Sequence, residues 1–255
     1  MKRPLLLLGM IVFFISQGFS QDANMTATKV KSDEDRNFRI PLIGEEAPSF
    51  TAESTNGTIN FPSDYGHKWK ILFSHPQDFT PVCSTEILEL AHLQTEFDKL
   101  GVQLVVVSVG PVSTHIQWKK ALEMTQIKDR ESVKINFPLV DDQNIAISKE
   151  YGMIHPLTNS TKSVRGVFII DPDNIIQAFY FYPMRVGRST DELLRMVTAL
   201  QTTTKLKVLT PVNWTAGKDV MVPNPPKIDE NNPTASTEGY YNPVWFMWFK
   251  KANNE

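Results

Sequence analysis

Lys70-Ile71-Leu72-Phe73-Ser74, then Cys83 to Leu100, then Val102-Gln103-Leu104-Val105-Val106-Val107-Ser108-Val109 are the consecutive stretches that decide the fold. The first and third read as buried strands, because β-branched residues dominate the third and Gly101 and Gly110-Pro111 punctuate it. The stretch between carries Ile87, Leu90, Ala91, Phe97 and Leu100 at helical spacing, with Gly101 where a C-terminal cap belongs. Outward from this strand–helix–strand unit, Ser113 or Thr114 caps a second helix through about Ile127, and a short strand follows near Phe137 to Val140. Val164 to Ile170 and Ile175 to Tyr182 flank Asp171-Pro172-Asp173-Asn174, a hairpin signal. Ser189-Thr190-Asp191-Glu192 reads as a capping box opening a last helix with Leu193, Val197 and Leu200 on one face. This order predicts an α/β fold of three layers around a central mixed β-sheet.

The ends of the chain are of different character. Lys2 and Arg3 precede an apolar run from Pro4 to Phe19, closed by Gly18-Phe19-Ser20, so residues 1–20 read as a secretory signal peptide and the product as exported, periplasmic or secreted. The run is short for a spanning helix, and no stable membrane insertion is expected once it is cleaved. Residues 21–37 are polar and aperiodic, which suits a disordered leader. The main domain is then 38–204. Of the 17 prolines, 6 fall in 205–255, so this Pro-rich C-terminal extension is expected to be extended and turn-rich. Its aromatic cluster, Trp245, Phe246, Trp248 and Phe249, either packs on the main domain or on another subunit, the favoured reading, or forms an exposed patch for a partner or lipid.

Composition excludes several classes. With 26 Lys+Arg against 28 Asp+Glu and a net charge of -2, no nucleic-acid partner is expected. A single cysteine among 255 residues forms no intrachain disulfide and cannot supply the usual thiolate-rich zinc site. His67, His92, His115 and His155 are scattered without ligand spacing, so no metal and no cofactor is assigned. Asn24, Asn56, Asn159 and Asn213 each begin an N-x-[ST] sequon, which leaves glycosylation open.

The cysteine lies in His75-Pro76-Gln77-Asp78-Phe79-Thr80-Pro81-Val82-Cys83-Ser84-Thr85-Glu86, shortly after a strand and in the first turn of a helix. Free N–H groups and the helix dipole favour negative charge there. The duller alternative is a small buried hydrophobe. Pro76 and Pro81 stiffen the loop and Thr80 offers a hydroxyl near the sulfur, which tips the balance towards a reactive thiol.

Pro76, Thr80 and Cys83 at this spacing resemble the active-site loop of the peroxiredoxins, and the longer run with His75 and Glu86 is similar to their one-cysteine subgroup. Gly44 to Phe50 (GEEAPSF) resembles the family's N-terminal motif, Arg165 and Arg188 match its arginines, and Thr210 to Pro223 resembles the subgroup's C-terminal extension. The resemblance implies a thioredoxin-like fold, a homodimer in which the extension serves as an arm, and reduction of hydrogen peroxide and organic hydroperoxides by Cys83. In the implied roles Thr80 and the Cys83 N–H hold the peroxide, and Arg165 polarises it. Glu86 orients Arg165 by a bidentate pair, Pro76 shields the sulfur, and His75 and Arg188 support the site. For cysteines in general, lowering the thiol pKa from about 8.5 to about 6 raises the thiolate fraction at pH 7 only about thirtyfold, so donors that hold the peroxide must supply the larger part.

With no second cysteine, the sulfenic acid is returned to thiol by an external thiol or a partner protein. The segment Gly66 to Lys70 lacks the serine of a G-x-S-x-G stretch, so no lipase activity is expected. Competing readings are a redox sensor that uses Cys83 stoichiometrically, a binding or chaperone-like protein on the same fold, and, weighing least, a cysteine protease.

Overall fold

A computed structural model describes residues 39–127, 130–227, 230–231 and 237–252; the leader segments 1–20 and 21–37 lie outside them. The central sheet has five strands, β3 (Trp69–His75), β4 (Val102–Ser108), β5 (Leu139–Asp141), β6 (Arg165–Ile170) and β7 (Ile176–Tyr182), in the order β5-β4-β3-β6-β7. β3, β4 and β5 run parallel, whereas β6 is antiparallel to both β3 and β7. The sheet is therefore mixed, as the order of sequence signals predicts.

Both faces of the sheet are covered, which is why β3 and β4 are near-continuous apolar runs rather than alternating ones. Ile71, Phe73, Leu104 and Val106 face α1 (Pro81–Lys99), α2 (Val112–Glu123) and α4 (Thr190–Leu206) through Ile87, Leu90, Trp118, Leu193 and Val197. On the opposite face Leu72, Val105, Val107 and Phe168 pack with Ile147 of α3 (Ala146–Glu150) and with the ribbon β1 (Phe50–Ala52) and β2 (Ile59–Phe61). These short elements escape periodicity reading because three to five residues carry too little pattern. Lys70 is buried in β3, and its ammonium reaches Asn174 Oδ1 at 2.6 Å across the β6–β7 turn. Burial pushes its pKa down, opposed by Asp171 and Asp173.

Some boundaries differ from expectation for identifiable reasons. α1 begins at Pro81 instead of Cys83, since proline is well suited to the first helical position. α2 is capped neither by Ser113 nor by Thr114; Asp141 Oδ2, at the end of the neighbouring strand β5, accepts the Val112 N–H at 2.9 Å, and the helix ends at Glu123 rather than near Ile127. Ser189 does cap α4, accepting the Glu192 N–H at 3.2 Å, but the Glu192 carboxylate pairs with Arg195 rather than closing the box. α4 runs to Leu206, so the position 204/205 falls in its last turn.

The C-terminal segment forms an antiparallel sheet in the order β8-β10-β9, from β8 (Val220–Val222), β9 (Tyr240–Val244) and β10 (Met247–Lys250). It is tied to α4 where Arg195 donates to the Trp214 carbonyl at 3.1 Å. The aromatic cluster divides: Trp248 and Phe249 are half-buried in β10, while Trp245 and Phe246 at the hairpin tip are 84% and 64% exposed. Within one chain the tip is thus not packed on the main domain.

Candidate active site

Cys83 sits at the third position of α1 and is fully buried. Pro81 has no N–H, and Ser84 donates its own to the Thr80 carbonyl at 3.0 Å. The N–H groups of Val82 and Cys83 have no helical acceptor, as expected for a helix start. Thr80, the N-cap residue, leaves them free. Its hydroxyl turns away and donates to the Gln77 carbonyl at 2.9 Å instead of capping the helix. The helix start thus presents unpaired N–H groups, and the Thr80 hydroxyl oxygen, its hydrogen spent on Gln77, keeps open lone pairs.

A buried charge cluster completes the site. Arg165 Nη1 donates to Cys83 Sγ at 3.3 Å and to Glu86 Oε2 at 2.6 Å, while Nε and Nη2 are held by the Met184 carbonyl. A guanidinium has five N–H donors, so one Nη2 hydrogen is left over at the site. Glu86 holds Arg165 by one oxygen only; the bidentate partner is Arg188, whose Nε and Nη2 meet Oε1 and Oε2 at 2.9 and 2.8 Å. The expected Glu86–Arg165 fork is corrected accordingly. Arg165 already spends its flat side on Met184, whereas Arg188 arrives just before α4 with its fork facing the carboxylate and its backbone N–H on Oε1 at 2.8 Å. Arg188 also donates to the Ser74 and Gly166 carbonyls and lies over the Phe73 ring at 3.3 Å. Burial works against its charge, and Glu86 opposes that shift. One carboxylate against two guanidinium ions leaves one net positive charge beside Cys83.

Pro76 is buried directly after β3. His75 is fully buried, tilted against Trp118 at 4.8 Å between ring centroids, and makes no hydrogen bond to the sulfur. Both its ring nitrogens lack hydrogen-bond partners. Burial pushes its pKa well below the usual histidine value; His115, Arg188 and Arg165 push the same way, and the Gln77 backbone opposes. The unfolded chain therefore binds a proton at His75 that the folded site does not. Above about pH 6.5 neither state is protonated; below it stability is expected to fall by up to about 1.4 kcal/mol per pH unit on this account. Urea unfolding from pH 5 to 7.5, compared with His75→Phe, checks this: the variant should lack that part of the slope, and equal slopes would refute it.

Two residues at the site carry no signal in the linear sequence. Asp78 and His115 meet at 2.6 Å, joining the cysteine loop to α2. The histidine looks isolated in sequence; only its place ahead of Trp118 on the inward face of α2 hints at burial.

Residues 43–179 match the AhpC/TSA family and residues 199–231 match the C-terminal domain of 1-Cys peroxiredoxin. The chain is 43% identical over 215 residues to a peroxiredoxin of Methanosarcina mazei, covering 83% of this chain and 98% of that one. It is 42% identical over 214 residues to Peroxiredoxin 2 of Caldanaerobacter subterraneus, covering 84% and 94%. Among solved structures, a yeast mitochondrial 1-Cys peroxiredoxin aligns with a TM-score of 0.71 at 37% identity, covering 83% of this chain and all 100% of that one. Peroxiredoxin 6 of Arenicola marina aligns with a TM-score of 0.71 at 29% identity, covering 84% and 99%. Sequence, fold and the single buried cysteine agree, and the chain belongs to the peroxiredoxin (AhpC/TSA) family as a one-cysteine member, a thiol-dependent peroxidase.

Proposed function

We propose that Cys83, Thr80 and Arg165 carry the peroxidase reaction, with Glu86, Arg188, His75 and Pro76 in support. The observation that carries this reading is Arg165 Nη1, which bridges Cys83 Sγ and Glu86 while an Nη2 hydrogen stays unspent. The thiolate attacks one peroxide oxygen: an S–O bond forms, the O–O bond breaks, sulfur is oxidised to sulfenic acid and the leaving oxygen departs as hydroxide or alkoxide, taking up a proton. Thr80 Oγ1 accepts a hydrogen bond from the peroxide, the Cys83 N–H donates to it, and Arg165 stabilises charge on the leaving oxygen. Pro76 limits access of water to the sulfur.

Donors aimed at developing charge are worth about 10²- to 10³-fold in rate. Arg165→Met is expected to slow sulfenic acid formation by about that factor, read by dimedone trapping and intact mass after one equivalent of hydrogen peroxide. A variant within threefold of the wild-type rate would remove Arg165 from the reaction.

An external thiol or a thiol-disulfide protein regenerates Cys83. The yeast relative is described as resolved via glutathione/thioredoxin systems, which supports a small thiol or a thioredoxin-like dithiol here. Export rests on the basic Lys2-Arg3 and the apolar run to Phe19. Among the described residues no helix is long and apolar enough to cross a membrane. A homodimer with 205–255 as its arm is supported by the exposed Trp245 and Phe246 and by β7, which beyond Ile176, bonded to Gly44 and Glu45, has among the described residues a strand neighbour on one side only.

A further inference from the structure

We propose that His115 is a positioning residue for peroxide reduction, acting through Asp78 to hold the loop that carries Thr80 and Cys83; the proposal rests on the site roles given above. Asp78 is 6% exposed and His115 fully buried, and Asp78 Oδ2 lies 2.6 Å from His115 Nδ1. The other ring nitrogen, Nε2, lies 3.1 Å from the Val140 carbonyl of β5. A carbonyl only accepts, so Nε2 carries a hydrogen. The Nδ1 contact then needs a hydrogen as well, either on the ring or on the carboxyl group. Asp78 and His115 therefore share one proton, are neutral as a pair, and join the cysteine loop to both α2 and β5.

The loop requires such an anchor. Phe79, between Asp78 and Thr80, has φ 56 and a side chain 57% exposed, a left-handed conformation disfavoured for a bulky residue. It is held from both ends, by Asp78 on His115 and by the Thr80 carbonyl on Ser84 N–H at 3.0 Å. Trp118, one turn beyond His115 on α2, donates to Ser84 Oγ at 3.3 Å, so one helix face grips the chain on either side of Cys83. Gly110 backs the imidazole; a Cβ there would stand 3.3 Å from His115 Cε1. His75 also borders the pair, with Nε2 3.6 Å from Asp78 Oδ1. Released from His115, Asp78 no longer opposes relaxation of Phe79, and Thr80 shifts relative to the sulfur. Misplacement by about 1 Å costs on the order of 100-fold in rate.

The test compares two reactions of Cys83 in the full chain: sulfenic acid formation with hydrogen peroxide, which needs Thr80 in place, and alkylation by iodoacetamide, which does not. Asp78→Ala and His115→Phe are expected to slow the peroxide reaction about 30- to 100-fold with alkylation within about threefold. Asp78→Asn is expected to recover to within about fivefold, because its amide can donate to Nδ1 while Nε2–H stays on Val140. Wild-type peroxide rates in Asp78→Ala and His115→Phe would overturn the proposal, as would parallel loss with both reagents, an asparagine no better than alanine, or failure of both variants to fold. Thr80→Val in the same series tests the site roles separately: an unaffected peroxide rate there counts against Thr80, whatever Asp78 does.

Discussion

Cys83→Ser is expected to yield a folded chain that consumes no peroxide. The serine hydroxyl is uncharged at neutral pH and lacks the soft lone pairs that attack an O–O bond, so Arg165, Thr80 and the helix start have no nucleophile to serve. The fold should survive because the two side chains are close in volume. Arg165 Nη1, now 3.3 Å from sulfur, can donate to Oγ. We expect a stability cost of about 1 kcal/mol, from placing a hydroxyl within the apolar cluster that holds Cys83. Peroxide consumption followed with an added thiol, beside a thermal melt, makes the check. Residual turnover in the serine variant would place the chemistry elsewhere.

Glu86→Gln should damage the fold as well as the site. Glu86 is 4% exposed and accepts from Arg165 Nη1 and from Arg188 N, Nε and Nη2. The amide keeps one acceptor oxygen but turns an NH₂ group towards two guanidinium groups that only donate. Two buried positive charges are left without their counter-ion, a loss that typically costs about 3–5 kcal/mol. For a chain of this size that corresponds to a fall in Tm of about 6–20 °C. The peroxide rate should fall too, because Arg165 loses the contact that aims it at the sulfur. A Tm within about 2 °C of wild type would show that the carboxylate is not the centre of the cluster.

The parts of this architecture that the linear sequence announces are those with local causes. β3 and β4 are legible as apolar runs bounded by glycine and proline, the β6–β7 turn by Asp171-Pro172-Asp173-Asn174, and the start of α4 by Ser189. Thr80, Cys83 and Glu86 are legible together because a loop and one helical turn fix their spacing. Arg165 and Arg188 are different: nothing in their own neighbourhoods marks them as buried, and family resemblance alone points to them. Which arginine takes the carboxylate fork depends on how α4 and β6 meet α1, a tertiary fact. Asp78 and His115 are less legible still, since a lone histidine on a helix does not disclose which loop it faces. The cap of α2 fails for the same reason, because Asp141 reaches Val112 from a strand.

Complete burial of Cys83 bears on the size of whatever reduces its sulfenic acid. A thiol of a few atoms needs only side-chain displacements around the sulfur. A protein reductant must bring its own backbone close; if the first turn of α1 unwound to admit it, the Ser84–Thr80 bond would break and the sulfur would be withdrawn from Arg165. Small and large reductants would therefore face different barriers at the same atom, and for a large one the rate of opening of the helix end would set an upper limit on turnover however strong a reductant it is.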